Sequence, residues 1–288
     1  MLKIGVLVMN NLKFSVLISV YKKESPLYFK ECMESILLNS VIPDEIVIVE
    51  DGELTEELYN VINQFECKYE NIIKRVPLDK NVGLGQALNK GLEKCSYNLV
   101  ARMDADDICA PNRFEIQIAE FQKDSELILL GSYINEFDRY PEEVNLVRKV
   151  PLEQSEIIKF AKIRNPFNHM TVMFRKDKIL EVGSYRKVFD IGYEDYDLWV
   201  RVLKAGYKAK NLDIPLVYVR TGKAMLKRRG NKKRLRTALY FRKHLKDIGF
   251  INSFEFIVYS LLTIIFSFSP IILKGWLYKN ILRSKAQS

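Results

Sequence analysis

The chain has 288 residues, 48% of them apolar, and a formal net charge of +9, which excludes a disordered polyelectrolyte and allows one large core with an appendage or two small domains. Residues 1–219 hold 29 Lys and Arg against 34 Asp and Glu, whereas everything from Arg220 onward holds 16 against 2. The basicity therefore belongs to the tail, and no RNA-binding motif accompanies it, so nucleic acid is not expected as a partner.

Met1 to Tyr21 has only a short apolar run before Asn10-Asn11 and no small-residue cleavage site, so it reads as a poor signal peptide, with Met9 a candidate start of translation. Phe14 to Val20 is a β-branched apolar strand, and Pro26 to Ser40 has helical apolar spacing with Ser25-Pro26 as N-cap and first helical residue. The unit recurs as a strand over Glu45 to Val49 and a helix over Thr55 to Phe65, then as Ile72 to Val76 and Gly85 to Lys94. A fourth strand, Asn98 to Met103, ends at an acidic cluster. Alternation of this kind predicts parallel β-α-β units, with ligands at the carboxyl ends of the strands. Beyond it come a helix over Pro111 to Lys123, strands over Leu127 to Ser132 and Met170 to Arg175, a helix over Tyr193 to Ala205, and two short extended pieces over Lys208 to Arg220. A mixed sheet is expected there.

Asp104, Asp106 and Asp107 follow directly on the fourth strand. Several carboxylates at one sheet edge repel one another unless a cation compensates, and hard oxygen ligands suit Mg²⁺ or Mn²⁺, which bridge phosphates and neutralise a diphosphate leaving group. An acidic helix-capping turn ahead of Pro111 is the alternative. The four cysteines, Cys32, Cys67, Cys95 and Cys109, form no CxxC pair and have no adjacent His, so reduced packing thiols in a cytoplasmic protein are expected rather than a zinc site or disulfides. Trp199, at helical spacing from Leu203, reads as core.

Five stretches in this order, LISVYKK, VEDG, NVGLGQALNKG, MDADD and GYEDYDLWVRVLKAG, resemble glycosyltransferase family 2, the inverting enzymes with the GT-A fold, over about Phe14 to Arg220. The resemblance implies a Rossmann-like, mainly parallel mixed α/β sheet flanked by helices: a catalytic domain over 1–220, divided into a nucleotide-binding half (14–110) and an acceptor-binding half (111–220), and a basic and apolar helical tail over 221–288. It also implies that Ser19, Val20 and Tyr21 line the nucleotide pocket and that Asp51 accepts a hydrogen bond from uracil, with a turn-forming Asp-Gly as the alternative for Asp51. Lys80 and Asn81 are expected at base or phosphate, Asp104 at the ribose and sugar, and Asp106 at the metal, with Asp107 secondary. Asp195, beside Glu194 at a helix start, is implied as the catalytic base, with a dipole-offsetting helix acid as the alternative. His169 is expected either to position the acceptor or touch the metal, or to be a satisfied structural histidine. A dehydrogenase is disfavoured because the third glycine of GxGxxG is replaced by Leu88. The Gly-rich signature of a sugar nucleotidyltransferase is missing near the N-terminus, and the combination of metal cluster and base disfavours a non-catalytic scaffold.

From Met225 to Lys246 the tail is basic and helical, and from Phe254 to Leu273 it is almost wholly apolar, interrupted by Pro270 and carrying a polar stripe of Ser260, Thr263 and Ser267. An interfacial helix on an anionic membrane is favoured over a span or a helix packed on the catalytic domain. The resemblance and the tail together imply a UDP-sugar donor, with galactose ahead of glucose and N-acetylglucosamine. The acceptor would be a lipid-linked (undecaprenyl diphosphate) saccharide at the cytoplasmic face of a bacterial inner membrane, in O-antigen, capsule or exopolysaccharide synthesis.

Overall fold

A computed structural model describes residues 12–187, 192–221, 232–269 and 284–285; the proposed start at Met9 and the interruption at Pro270 lie outside them. The parallel strands β1 (Phe14–Val20), β2 (Glu45–Glu50), β3 (Ile73–Pro77) and β4 (Leu99–Asp104) alternate with helices α1 (Pro26–Leu37), α2 (Glu56–Lys68) and α3 (Leu84–Lys94). β1 and β2 are buried almost throughout, because helices cover a parallel sheet on both faces. Ser25 and Thr55 start their helices as their sequence positions suggest: each side chain accepts the backbone N–H three residues on, and Pro26 opens α1. The spatial order is β3-β2-β1-β4. The chain thus builds to one side of β1 and then returns to lay β4 on the other. That reversal leaves a crevice at the strand ends between β1 and β4, where Ser19 pairs with Asp104.

The second half continues with β5 (Ile108–Cys109), α4 (Arg113–Lys123), β6 (Leu127–Phe137), β7 (Val144–Arg148), α5 (Gln154–Ala161), β8 (Met173–Arg175), α6 (Lys176–Glu181), α7 (Glu194–Lys204) and β9 (Lys208–Arg220). β8 runs antiparallel between β4 and β6, and β9 runs parallel to β6, which completes a mixed sheet. Three extents differ from the sequence expectation. β6 continues five residues past Ser132, and the two pieces of Lys208 to Arg220 form one strand whose register slips opposite Tyr133, where Pro215 cannot donate to the ladder. The strand expected from Met170 begins only at Met173, because His169–Thr171 winds into a single 3₁₀ turn tied by Thr171 Oγ1 donating to the Asn168 carbonyl.

In the tail, α8 (Lys232–Asp247) packs Phe241 and Leu245 against Tyr196 and Val200 of α7. Helix α9 (Ser253–Phe268) folds back on α8 through Phe256 and Tyr259, starting at a capping box made by Asn252 and Glu255. Its other side carries Phe254, Ile257, Leu261, Ile265 and Phe268 at 3- and 4-residue spacing, each more than half exposed. Thr263 and Ser267 donate back to carbonyls four residues earlier, which lets a polar stripe lie along an apolar helix. Among the described residues no helix is long and apolar enough to cross a membrane.

Candidate active site

Three loops meet at the carboxyl ends of β1, β2 and β4. After β2, Asp51 is buried, and its Oδ1 accepts from Val82 N (2.7 Å) while its Oδ2 accepts from Asn81 Nδ2 (3.0 Å) and Gly83 N (3.1 Å). The carboxylate therefore fixes the turn into α3, using three of about four acceptor positions and leaving room for one further donor. Gly52 (φ +82°) completes this clasp, since a Cβ there would lie 2.6 Å from Asn81 N. Lys80 and Asn81 stand exposed at the rim, and Val20 accepts from Asp51 N at 2.8 Å, so Ser19, Val20, Tyr21, Asp51, Lys80 and Asn81 share one wall.

Asp104 lies at the end of β4, and two residues earlier on the same strand face is Arg102, which pairs with it. Arg102 is almost wholly buried; its Nε and Nη1 have no protein partner, and the carboxylates around it, Asp104 foremost, outweigh the cost of burial and raise its pKa. Burial, together with Asp104, raises the Asp106 carboxyl; Asp107 is driven well up by burial, Asp104 and Asp106. The loop carrying them is held by Arg220, the last residue of β9. Its backbone N–H donates to Asp107 Oδ1 (3.2 Å), its Nε to the Asp106 carbonyl (2.9 Å) and its Nη2 to Glu31, and its guanidinium lies 4.1 Å from the Tyr28 ring centroid. Arg220, counted with the basic tail by composition, is thus part of the catalytic domain. Cys32 donates from beneath to the Asp104 carbonyl (3.2 Å), and burial raises both the Cys32 and Cys109 thiols, as packing cysteines require. All four cysteines are free.

The opposite wall is the start of α7. Gly85, in the first turn of α3, abuts Glu194, and a Cβ on it would lie 2.9 Å from Glu194 Cβ. This contact sets the first turn of α3 against the start of α7, one residue before Asp195. Asp195 Oδ2 accepts from Asn165 Nδ2 (2.6 Å) and Oδ1 from Tyr196 N (2.8 Å). Burial raises the Asp195 carboxyl, and these two hydrogen bonds and Arg102 oppose the rise. Burial and the neighbouring Asp195 likewise raise Glu194. Tyr193, which starts the helix, is held at φ +71° and stacks on Phe241 of α8 at 4.6 Å, so packing from the tail sustains a strained residue next to Asp195.

His169 Nε2 and the Tyr185 hydroxyl lie 2.9 Å apart, and its ring meets Trp199 edge-on. Burial and the nearby Arg102 push its pKa well below the usual range, so it is a neutral group on the floor between Arg102 and α7. Trp199 is fully buried, as its helical spacing predicts. The sequence reading missed Arg102, Asn165 and Arg220. Arg102 left a signal, a charged residue inside an apolar strand two positions before Asp104. Asn165 left none, because Asn-Pro reads as a turn.

This arrangement brings the loops after β1 and β2, the acidic end of β4 and the Asp195 carboxylate, which Arg102 also reaches, to one crevice. Residues 15–189 match the model of glycosyl transferase family 2. The chain belongs to that family. The amylovoran biosynthesis glycosyltransferase AmsE of Erwinia amylovora is 42% identical over 93% of this chain and 98% of its own. The UDP-Gal:alpha-D-GlcNAc-diphosphoundecaprenol beta-1,3-galactosyltransferase of Escherichia coli is 39% identical over 94% and 97%. S. aureus TarS 1–349, solved in complex with UDP-GlcNAc, superposes over 93% of this chain and 76% of that one with a TM-score of 0.62 at 16% identity. The fold of this family 2 glycosyltransferase is accordingly GT-A, a mixed, mainly parallel α/β sheet flanked by helices.

Proposed function

We propose that the enzyme transfers a hexose, with galactose the leading candidate, from a UDP-sugar to a lipid-linked saccharide, inverting the anomeric centre with Asp195 as base. The observation that supports this reading is Arg102, which pairs with Asp104 and is also near enough to Asp195 to oppose the burial-driven rise of its carboxyl. The E. coli relative, similar over nearly the full length of both chains, supports the choice of donor and of a diphosphate-lipid acceptor.

In this mechanism Ser19, Val20, Tyr21, Lys80 and Asn81 seat the nucleotide, and Asp51 offers its remaining acceptor position to the uracil imide. Asp104, oriented by Arg102, faces the ribose and sugar. Asp195 accepts the proton of the acceptor hydroxyl as that oxygen attacks the anomeric carbon on the face opposite the diphosphate. One base suffices, and no covalent glycosyl-enzyme forms. Among the described residues no group of three His, Cys, Asp or Glu side chains is gathered as a cage for an ion. Mg²⁺ and Mn²⁺ bound beside a substrate need only one or two carboxylates together with phosphate oxygens, and half-buried Asp106, with Asp107 behind it, fits that pattern. Asp106 and Asp107 would hold such an ion, which would supply neutralisation of the charge on the departing diphosphate.

The exposed apolar stripe of α9, beside the basic α8, suits docking on an anionic membrane at the cytoplasmic face, with each Lys or Arg near the surface contributing about 1 kcal/mol. Transfer assays with a panel of UDP-sugars and a GlcNAc-diphospholipid acceptor test the whole reading. Asp195→Asn should lower kcat by about 10²- to 10⁴-fold, and full activity of Asp106→Ala in chelator would refute the metal.

A further inference from the structure

Asn211 lies near the start of β9, directly across from Gly131 of β6, and is fully buried. Its backbone N–H donates to the Leu152 carbonyl (3.0 Å), and its side-chain amide donates to the carbonyls of Pro151 (2.6 Å) and Pro166 (3.1 Å). One of these prolines precedes α5 and the other follows it, so a single side chain clasps both ends of the segment 151–166. Neither proline has an N–H to offer a neighbouring strand, which leaves the carbonyls as the handle. The clasp has a cost. Asn211 Oδ1 is buried without a hydrogen-bond partner, and it lies so close over Gly131 that a Cβ there would be 2.2 Å away. Packing alone would call for neither the unpaired oxygen nor the bare glycine.

What the clasp holds is the turn that carries Asn165. Pro166 follows Asn165 directly, Asn165 Oδ1 accepts from Phe167 N (3.2 Å), and the Asn165 amide donates to Asp195 Oδ2 at 2.6 Å. Upstream, the same loop is tied by Tyr196 donating to the Ala161 carbonyl (2.7 Å) and by Arg242 donating to the Lys162 carbonyl (2.6 Å). Downstream, Asn168 donates to the Ser132 carbonyl (2.8 Å), and Asn211 takes the carbonyl next to Asn165. We propose that Asn211 is a positioning residue for sugar transfer, acting through Pro166 and Asn165 to keep the Asn165 amide on Asp195, an inference that rests on Asp195 being the base. The ionisable groups that bear on Asp195 are Arg102 of β4, Glu194 beside it on α7 and Tyr185 after α6, and the side-chain hydrogen bonds of Asn211 reach none of them. Asn211 therefore acts on Asp195 by way of the turn.

The test sets Asn211→Ala against Gln154→Ala in the full-length protein. Gln154 also joins α5 to β9, with its Nε2 donating to the Tyr207 carbonyl (3.0 Å) and its Oε1 accepting from Ala209 N (2.6 Å), but at the end of the helix away from Asn165. Each variant gives up a pair of side-chain hydrogen bonds, so both should unfold at lower denaturant concentration. Only Asn211→Ala should move the acid limb of the kcat/KM–pH profile upward, by about half to one pH unit, because a loosened Asn165 amide offsets less of the burial of Asp195. Asn165→Ala/Asn211→Ala should shift no further than Asn165→Ala alone, since the two side chains act in series. Titration of the Asp195 carboxyl carbon by NMR should give the same shift without any turnover. An unmoved Asp195 titration in Asn211→Ala, an equal shift in Gln154→Ala, or shifts that add in the double variant each overturn the proposal. If the titration moves while Asp195→Asn keeps its turnover, the clasp stands and the reading of Asp195 as base falls. Should Asn211→Ala not fold, Asn211→Ser, whose hydroxyl keeps one donor, carries the same test with about half the shift.

Discussion

Asn165→Ala probes how Asp195, the proposed base, is kept ready. Asp195 must be ionised to take a proton, yet burial raises its carboxyl, and the 2.6 Å hydrogen bond from Asn165 is one of the contacts that offset this. A hydrogen bond to a charged group contributes about 1.5–3 kcal/mol, and one pH unit corresponds to about 1.4 kcal/mol. Asp195 is only part-buried, so water relieves some of the loss and the lower end applies. A group whose pKa rises loses its ionised form first on the acid side. The acid limb of the kcat/KM–pH profile should therefore move up by about one pH unit, while the alkaline plateau stays within a few fold of wild type. The assay is transfer from a UDP-sugar across about pH 5 to 9 with the GlcNAc-diphospholipid acceptor. An unmoved acid limb would refute the reasoning, and so would a uniform loss at all pH values, which would indicate that Asn165 only supports the loop through Phe167 N.

Four further outcomes follow from the same geometry. Gly85→Ala places a methyl 2.9 Å from Glu194 Cβ, so α7 must shift; kcat/KM should fall about 10²-fold with circular dichroism unchanged, as measured by steady-state kinetics. Arg220→Lys keeps a charge but loses the fork that joins the Asp106 carbonyl to Glu31, and UDP binding by calorimetry should weaken nearly as much as in Arg220→Ala. Phe241→Ala empties a fully buried site under Tyr193 and Tyr196, and should cost about 3–5 kcal/mol of stability in denaturant unfolding. Replacing Ile257, Leu261 and Ile265 with Ser should abolish vesicle partition while leaving turnover of a water-soluble acceptor intact; unchanged partition would remove α9 from the membrane.

The first half was legible because apolar strands alternate with helices there, β2 and β4 stop at acids, and parallel strands present their ends together. Asp51, Asp104 and Asp106 could be placed by counting strands. The second half was harder to read. β7 and α5 are five and eight residues long, too short for a period to emerge from a polar background. Asn165 and Asp195 are 30 residues apart, and Arg220 and Asp107 are 113 apart, so their pairing depends on the folded sheet and not on local pattern. The tail concealed its role in the same way. The basic residues of α8 dominate its composition, yet Phe241 and Leu245, four apart, decide where it sits.

The packing of α8 explains why tail and catalytic domain are not independent. Tyr193 adopts a left-handed conformation that a bulky residue takes only under constraint, and the ring that covers it, Phe241, comes from the tail. Tyr196 donates to the Ala161 carbonyl at 2.7 Å, and Arg242 donates to the Lys162 carbonyl next to it. Both ends of the support for Asp195, its helix start and the loop bearing Asn165, are therefore fastened by α8. His244, also on α8, lies 2.7 Å from Asp197, a buried carboxylate two residues beyond Asp195 that Arg201 also pairs. A helix needed only as a tether would have no reason to reach these groups. The position of Asp195 is built partly by the same tail whose next helix, α9, exposes an apolar stripe, so the proposed membrane contact and the proposed base share one mechanical support.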